Sequence, residues 1–177
     1  MLSSWDKDGR PDFAKGDRLV MSFHGLPKRN LMKGDPYHCE CLKTGRLLGE
    51  SLGLEPGQYI VTFQSRFGKA KWLEPYTEPT LVALAQQGVK RVDLICPGFT
   101  SDCLETLEEI AQEAQEAYLH AGGEVFRYIP CLNDSAMWVQ GMHALCVEHM
   151  GGWSFTAPDA QQLAASRAAA MALGSKD

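Results

Sequence analysis

The amino-acid sequence predicts an α/β domain in which helices cover both faces of a four-stranded parallel sheet. Short, β-rich apolar runs alternate four times with longer segments of helical periodicity. The links between these segments are short, and repeated β-then-α units with short links are typical of parallel sheets. The chain has 177 residues, 45% of them apolar, which is enough to bury a single core.

Each strand is predicted from a run of β-forming residues that ends at a turn signal. RLVMSF stops before a Gly and a Pro, QYIVTF stops before a polar loop, and KRVDLIC stops at Pro97-Gly98. The fourth run leads from Glu124 to Leu132. The four predicted strands are residues 18–23, 58–63, 90–96 and 124–132.

Each helix is predicted from apolar residues at helical spacing. Leu81, Leu84 and Ala85 have this spacing in the second helix, and Gly122-Gly123 is a stop signal after the third, which is the longest. The four predicted helices are residues 35–52, 77–87, 102–121 and 135–150.

The predicted domain is residues 18–152, between a polar lead-in of residues 1–17 and a tail of residues 153–177. Alanine-rich residues 160–173 indicate a helix in the tail. Propensity alone leaves open whether that helix docks on the domain.

Composition argues against several classes of protein. The net charge of −5 gives no general attraction to nucleic acid or anionic lipid. No apolar run approaches the roughly 20 residues that cross a bilayer. The first residues are polar where a signal peptide needs an apolar core, so a cytoplasmic protein without a transmembrane segment is expected.

The six cysteines are too few and too scattered for a disulfide scaffold. Cys39-x-Cys41 behind His38 is one residue shorter than the usual zinc pair, and no second pair accompanies it. This spacing favours a structural or incidental role.

Polar residues or tight turns follow all four predicted strands, where ligands bind in open parallel sheets. His24 follows the first strand, and an imidazole there can accept a proton or bind a divalent metal. The alternative is a histidine that only hydrogen-bonds the turn of residues 25–27. Arg66 and Lys69 follow the second strand and are candidates for binding an anion, with surface solvation as the alternative.

The third helix carries glutamates at every fourth position, namely Glu105, Glu109 and Glu113. They predict one acidic ridge, which is either the solvated side of an amphipathic helix or a set of cation ligands and proton acceptors. Asp102 and Glu105 also have the spacing of a capping box, in which Glu105 is only a cap. The opposite face is predicted to consist of Leu104, Leu107, Ile110, Ala111, Ala114 and Tyr118.

Aromatic residues in the loops offer a further hypothesis. Trp72, with Phe67 or Phe99, can form an apolar wall for a flat ligand, or these side chains can simply anchor their loops. The sequence contains no Walker loop, GxGxxG fingerprint, GxSxG elbow or paired CxxC motif. The commonest nucleotide-binding and hydrolase sites are thereby excluded.

Five segments, in order and spacing, resemble the second half of bacterial ferrochelatases: SFHGLPKR, GDPYHCE, TFQSRFGKAKWLEPYT, CPGFTSDCLETLEEI and YIPCLND. The resemblance implies a chelatase-like domain, one of two Rossmann-like halves, in an enzyme that inserts ferrous iron into protoporphyrin. This reaction forms protohaem in the last step of haem biosynthesis. Porphyrin and Fe²⁺ are then substrates, and no permanently bound cofactor is implied.

The resemblance also implies roles for individual residues. It places the family's catalytic histidine on His24 and its acidic partner on Glu105, which together accept protons and bind the metal. Glu109 and Glu113 continue a line of carboxylates for metal or proton movement. Positions around the porphyrin cleft correspond to Gln64, Ser65, Arg66, Trp72 and Phe99.

The family's first domain has no counterpart in this sequence, so a missing N-terminal domain is the expected partner. The alternatives are a metal- or porphyrin-binding fragment without activity and a purely structural interaction domain. Some ferrochelatases carry an iron–sulfur cluster on cysteines of a C-terminal extension. No cysteine follows Cys146, so no cluster is expected.

Overall fold

The computed structural model describes residues 1–153, 156–157 and 159–176. Residues 1–135 form one compact unit, and the chain from residue 136 onward forms a second. The first unit contains the strands β1 (Arg18–His24), β2 (Tyr59–Gln64), β3 (Arg91–Ile95) and β4 (Val125–Tyr128). All neighbouring strands are parallel, in the order β2-β1-β3-β4, which confirms the predicted fold class.

The helices of the first unit are α1 (Leu2–Asp8), α2 (Lys28–Met32), α3 (Tyr37–Ser51), α4 (Thr77–Gln86), α5 (Leu104–Leu107) and α6 (Gln115–His120). A 3₁₀ turn (Phe13–Lys15) precedes β1, and a π-helical segment (Glu109–Ala114) joins α5 to α6. The second unit contains α7 (Ala136–His149) and α8 (Ala160–Ala172), at the places where helices were predicted.

Two apolar cores lie on opposite faces of the sheet. Because successive side chains of a strand point to opposite faces, Leu19 and Met21 of β1 pack into one core and Val20 packs into the other. All three are fully buried, since β1 has a strand on each side and apolar side chains above and below. Tyr118 of α6 fills the Val20 core, and its hydroxyl donates to the carbonyl of Val89.

The third helix is not the single α-helix that the sequence predicted. In its π-helical segment the N–H of Glu113 donates to the carbonyl of Glu108, five residues earlier, at 3.0 Å. This longer offset changes which residues share a face. Ile110 and Tyr118 are buried as predicted, whereas Leu104 and Leu107 are 69% and 48% exposed.

The first 17 residues are folded rather than a lead-in to the domain. Trp5 of α1 is 4% exposed, and its indole N–H donates to a carboxylate oxygen of Asp93, which is fully buried in β3. Arg91 donates to the other carboxylate oxygen at 2.8 Å and also to the carbonyl of Gly9. The buried aspartate needs these donors, because an unpaired buried charge is strongly unfavourable.

The second unit consists of the two C-terminal helices. No described residue of α7 or α8 is buried, and Met137, Val139 and Leu145 of α7 are among its exposed apolar residues. Throughout the described part of the chain, none of the helices combines the length and apolar character needed to span a bilayer.

The Trp5 contact predicts a large loss of stability on truncation. We expect Trp5→Ala to lower the free energy of unfolding by about 3–5 kcal/mol, because it leaves a cavity. Trp5→Phe keeps the aromatic packing and loses the hydrogen bond to Asp93, which is worth about 1–3 kcal/mol. Urea denaturation measures both. Leu2→Ala is the control, because Leu2 is 59% exposed in the same helix. Equal losses at positions 2 and 5 contradict the anchoring role of Trp5.

Candidate functional site

His24 and Gln64 lie side by side where two neighbouring strands end. They are partners in the parallel register of β1 and β2. His24 is half-buried, and its Nδ1 lies 2.7 Å from the carbonyl oxygen of Gly25. A carbonyl can only accept a hydrogen bond, so Nδ1 carries the proton and Nε2 of the neutral ring keeps its lone pair. His24 therefore hydrogen-bonds the turn of residues 25–27, which the sequence analysis offered as the alternative to a functional role. The same ring also has a second nitrogen that can accept a proton or bind a metal.

Aromatic side chains surround the imidazole of His24. The ring centres of Trp72 and Phe99 lie 6.4 Å and 6.3 Å from it. Trp72 is only 6% exposed, whereas Phe67, whose ring lies 5.6 Å from that of Trp72, is 78% exposed. Phe99 also lines an apolar hollow of about 300 Å³. The buried Trp72 thus fits the hypothesis of a side chain that anchors its loop. The exposed Phe67 and the hollow beside Phe99 fit the hypothesis of an apolar wall for a flat ligand.

Gly25 is required by close packing behind His24. A Cβ at this position would lie 2.8 Å from the carbonyl oxygen of Gln64 and 3.2 Å from the Trp72 ring. The N–H of Gly25 donates to that same carbonyl at 2.8 Å. A larger residue would push the strand end and the indole away from the imidazole.

Glu105 lies in the first turn of α5, and its side chain is not used as a cap. The N-cap is Cys103, and Thr106 completes the capping box, so the cap predicted from Asp102 and Glu105 is wrong. The hydrogen bond from the Cys103 thiol and one from the backbone N–H of Glu105 lower the pKa of the Glu105 carboxyl, and His24 lowers it further when its ring is protonated. These effects favour the ionised carboxylate, which is the form that binds a cation.

Glu109 holds the loop after β2. Its carboxylate accepts hydrogen bonds from the N–H of Ser65 at 2.6 Å and from the Ser65 hydroxyl at 2.7 Å. Ser65 has a φ of 63°, a left-handed conformation that costs a non-glycine residue about 1–2 kcal/mol. The π-helical segment begins at Glu109, at the point where this clamp is made. The carboxylate compensates for the strain in the loop.

The acidic ridge lines one hollow of about 470 Å³. Glu105, Glu109 and Glu113 all contribute to its lining, as do Arg66 and Phe67 of the β2 loop. The Arg66 guanidinium lies 4.8 Å from the centre of the Tyr76 ring, an arrangement that restrains it. Lys69 is exposed.

The cysteines offer no separate metal centre. All six thiols are free, and Cys39 is exposed while Cys41 is buried. Among the residues that the structure describes, no group of three or more His, Cys, Asp or Glu side chains is arranged to hold a metal ion. His24 and Glu105 supply two donors, so any ion that they bind needs further ligands from elsewhere.

A family model described as Ferrochelatase matches residues 2–150. The chain belongs to the ferrochelatase family. The curated ferrochelatase of Methylibium petroleiphilum is 64% identical to it over 173 residues, which cover 97% of this chain and 46% of the relative. Those of a Polaromonas and an Azoarcus species are 59% and 55% identical, covering 92% and 98% of this chain and 44% and 47% of the relatives. The chain spans about half the length of these curated ferrochelatases.

A solved structure shows a similar fold. The protein of Marinobacter aquaeolei VT8 assigned to cobalamin (vitamin B12) biosynthesis as CbiX superposes with a TM-score of 0.50 at 12% identity. The superposition covers 76% of this ferrochelatase-family chain and 97% of that protein. At this level of identity the likeness concerns the fold alone.

The loop before α5 is tied to the end of β4 and the loop after it through Asp102. Its carboxylate accepts hydrogen bonds from Asn133 Nδ2 at 2.7 Å and from the Tyr128 hydroxyl at 2.5 Å. Burial raises the pKa of Asp102, but hydrogen bonds from Asn133, Tyr128 and Cys131 outweigh this effect and lower the pKa to about 2. A charged carboxylate therefore fixes the loop that leads to Glu105.

Some site residues had no usable sequence signal. Cys103 and Thr106 do not form one of the common capping patterns, and the clamp between Ser65 and Glu109 joins residues far apart in the chain. Asn133, in the loop after β4, has a φ of 48°, and its side chain bonds both the backbone N–H and the carboxylate of Asp102.

The clamp predicts coupling between Glu109 and Ser65. We expect Glu109→Gln to lower the free energy of unfolding by about 1–3 kcal/mol, because a charge-assisted bond is lost. In a Ser65→Gly background the loss should be smaller, because glycine adopts positive φ without strain. Urea unfolding of the single and double variants measures the coupling, and the exposed Glu113→Gln serves as control. Additive losses within about 0.5 kcal/mol contradict the clamp.

The Asp102 network predicts a pH-dependent contribution to stability. The folded pKa of about 2 lies below the ordinary aspartate value of 3.8, so the contribution is complete above the unfolded pKa and is lost as the pH falls through the folded value. Asp102→Asn should therefore destabilise the chain near neutral pH, by an amount that shrinks toward about pH 2. Urea unfolding over this pH range tests it. A destabilisation that stays constant with pH is the contrary outcome.

Proposed function

We propose that this chain is the second half of a protoporphyrin ferrochelatase and contributes the proton acceptor and metal-binding carboxylate for insertion of ferrous iron into protoporphyrin. The observation that carries this proposal is geometric: His24 bonds the Gly25 carbonyl through Nδ1 and keeps Nε2 as an acceptor, and its register partner Gln64 bonds the helical turn that bears Glu105. Membership of the ferrochelatase family over residues 2–150 supports the choice of reaction.

The chemistry requires both kinds of group. Two pyrrole N–H protons leave the macrocycle as the metal enters, so a base must face the ring. His24 Nε2 accepts such a proton, because an imidazole titrates near neutral pH. Its Nδ1–H remains hydrogen-bonded to the Gly25 carbonyl, and this bond keeps the ring oriented during the transfer.

Glu105 acts on the metal. An oxygen ligand together with an imidazole nitrogen holds Fe²⁺ less tightly than thiolates do, which suits an ion that must be passed on. The hydrogen bond from the Cys103 thiol lowers the pKa of the Glu105 carboxyl and so favours the ionised form that binds a cation. Fe²⁺ is a substrate in this proposal, and the remaining ligands come from outside the pair.

The acidic ridge and the aromatic cluster have supporting roles. Glu113 is exposed and shares the hollow of Glu105, which favours a path for cations or protons along this side. Ser65, Arg66, Trp72 and Phe99 are proposed to border the porphyrin, with the rings of Phe99 and Trp72 next to the imidazole. The N-terminal half found in ferrochelatases is the proposed partner that closes the cleft.

A second candidate is a fragment that binds metal or porphyrin without turnover. The observation that favours it is the span of the chain, about half of each curated relative. Titration with Co²⁺ or Zn²⁺ and with protoporphyrin separates the two functions. Binding without metallation by the chain alone, and also after addition of the N-terminal half, favours this candidate.

The reaction proposal predicts the behaviour of two variants in an enzyme completed with the N-terminal half of the Methylibium relative. His24→Ala should lower the rate of zinc or iron insertion by roughly 10²–10⁴-fold, the usual contribution of a general base. Glu105→Gln should weaken metal binding about 10–100-fold. Glu116→Gln, an exposed change in α6, is the control. Wild-type rates in both site variants overturn the assignment.

A further inference from the structure

The side-chain amide of Gln64 is buried and fully engaged. The residue is 3% exposed, at the end of β2. Its Nε2 donates to the backbone carbonyl of Glu105 at 2.7 Å, and its Oε1 accepts from the Ser22 hydroxyl, also at 2.7 Å. The Cys96 thiol lies 3.4 Å from the same Oε1. This amide therefore joins the sheet to the first turn of α5.

The orientation of the amide is fixed by chemistry. The Glu105 carbonyl can only accept a hydrogen bond, so the NH₂ group must face it. Behind Oε1, the hydroxyl oxygens of Ser22 and Thr77 are 2.8 Å apart, and those of Thr77 and Thr62 are 3.0 Å apart. Ser22, Thr62 and Thr77 are all at most 2% exposed. Buried networks of this kind hold one arrangement, because a rotated amide leaves polar groups unpaired.

Gln64 also lies next to His24. The two residues are register partners across β1 and β2, and neighbouring strands are about 4.8 Å apart. One side chain thus sets the distance between the strand end that carries the imidazole and the helical turn that carries the carboxylate. α5 has only four residues and passes into a π-helical segment, so it has little rigidity of its own.

We propose that Gln64 is a positioning residue that holds the Glu105 carboxylate at His24 through the Glu105 backbone, instead of contacting the porphyrin. This inference rests on the proposed function, in which His24 and Glu105 bind the ion together. It changes the role that the family resemblance implied for Gln64, because a side chain that is 3% exposed with its amide bonded on both sides is not available to a ligand.

The experiment compares Gln64→Met with Thr62→Val. Met has a similar length and removes the amide, whereas Val removes a hydroxyl of the same buried network that does not touch Glu105. Co²⁺ titration of the intact chain, followed by absorption spectroscopy, gives the affinity. We expect about tenfold weaker binding in Gln64→Met, typical of outer-shell changes, and binding within about twofold of wild type in Thr62→Val.

Hydrogen exchange supplies a readout that does not depend on metal. The amides of residues 104–107 should exchange faster in Gln64→Met and at the wild-type rate in Thr62→Val, because only the first change releases the Glu105 carbonyl. If Gln64→Met does not fold, Gln64→Leu replaces it, since a leucine side chain also has no donor for the Glu105 carbonyl.

The outcomes separate the two proposals. If the wild type does not bind Co²⁺, the metal pair of the proposed function fails, and exchange at residues 104–107 alone decides the role of Gln64. Unchanged exchange and affinity in the Gln64 variants overturn the positioning role. Equal effects in Thr62→Val and Gln64→Met overturn it as well, because they indicate general loosening of the network.

Discussion

The parallel register of β1 and β2 is the constraint on which the site depends. It sets His24 and Gln64 side by side at the carboxyl ends of these two strands. β1 can serve this purpose because it is central, with Leu19, Val20 and Met21 fully buried between two cores. A shift of one residue would turn these apolar side chains to the wrong faces. The register that buries these apolar side chains is therefore also the register that places the imidazole.

Strained backbone near the site is compensated by charge. Ser65 keeps a left-handed conformation because the Glu109 carboxylate accepts both of its donors. The π-helical segment that begins at Glu109 brings that carboxylate to the loop and changes the buried face of the helix. The same irregularity therefore explains the exposed Leu104 and the occupied Glu109. In the predicted line of carboxylates, Glu109 is bonded to Ser65, whereas Glu105 and Glu113 line the hollow. This difference is consistent with Glu109 holding the loop and the other two binding ions.

Stability and chemistry draw on different parts of the first unit. Trp5, Asp93 and Arg91 join the N-terminal helix to β3, far in sequence from the loops that carry His24 and Glu105. Asp102 has an intermediate position, since its bonds to Asn133 and Tyr128 stabilise the loop that sets the start of α5. Substitutions at Trp5 are thus expected to change folding, whereas substitutions at Gln64 act on the relation between imidazole and carboxylate.

The sequence by itself determined the four strands, the parallel α/β class and the candidates His24 and Glu105. Periodicity and turn signals are local, and the motifs around both residues are contiguous. Only the tertiary structure decided that Trp5 belongs to the core, that Cys103 rather than Asp102 caps α5, and that Gln64 and Glu109 are held by partners. The contacts of Trp5 with Asp93, of Gln64 with Glu105 and of Ser65 with Glu109 span 88, 41 and 44 residues. Pairings over such distances depend on how strands and helices pack, which no local pattern encodes.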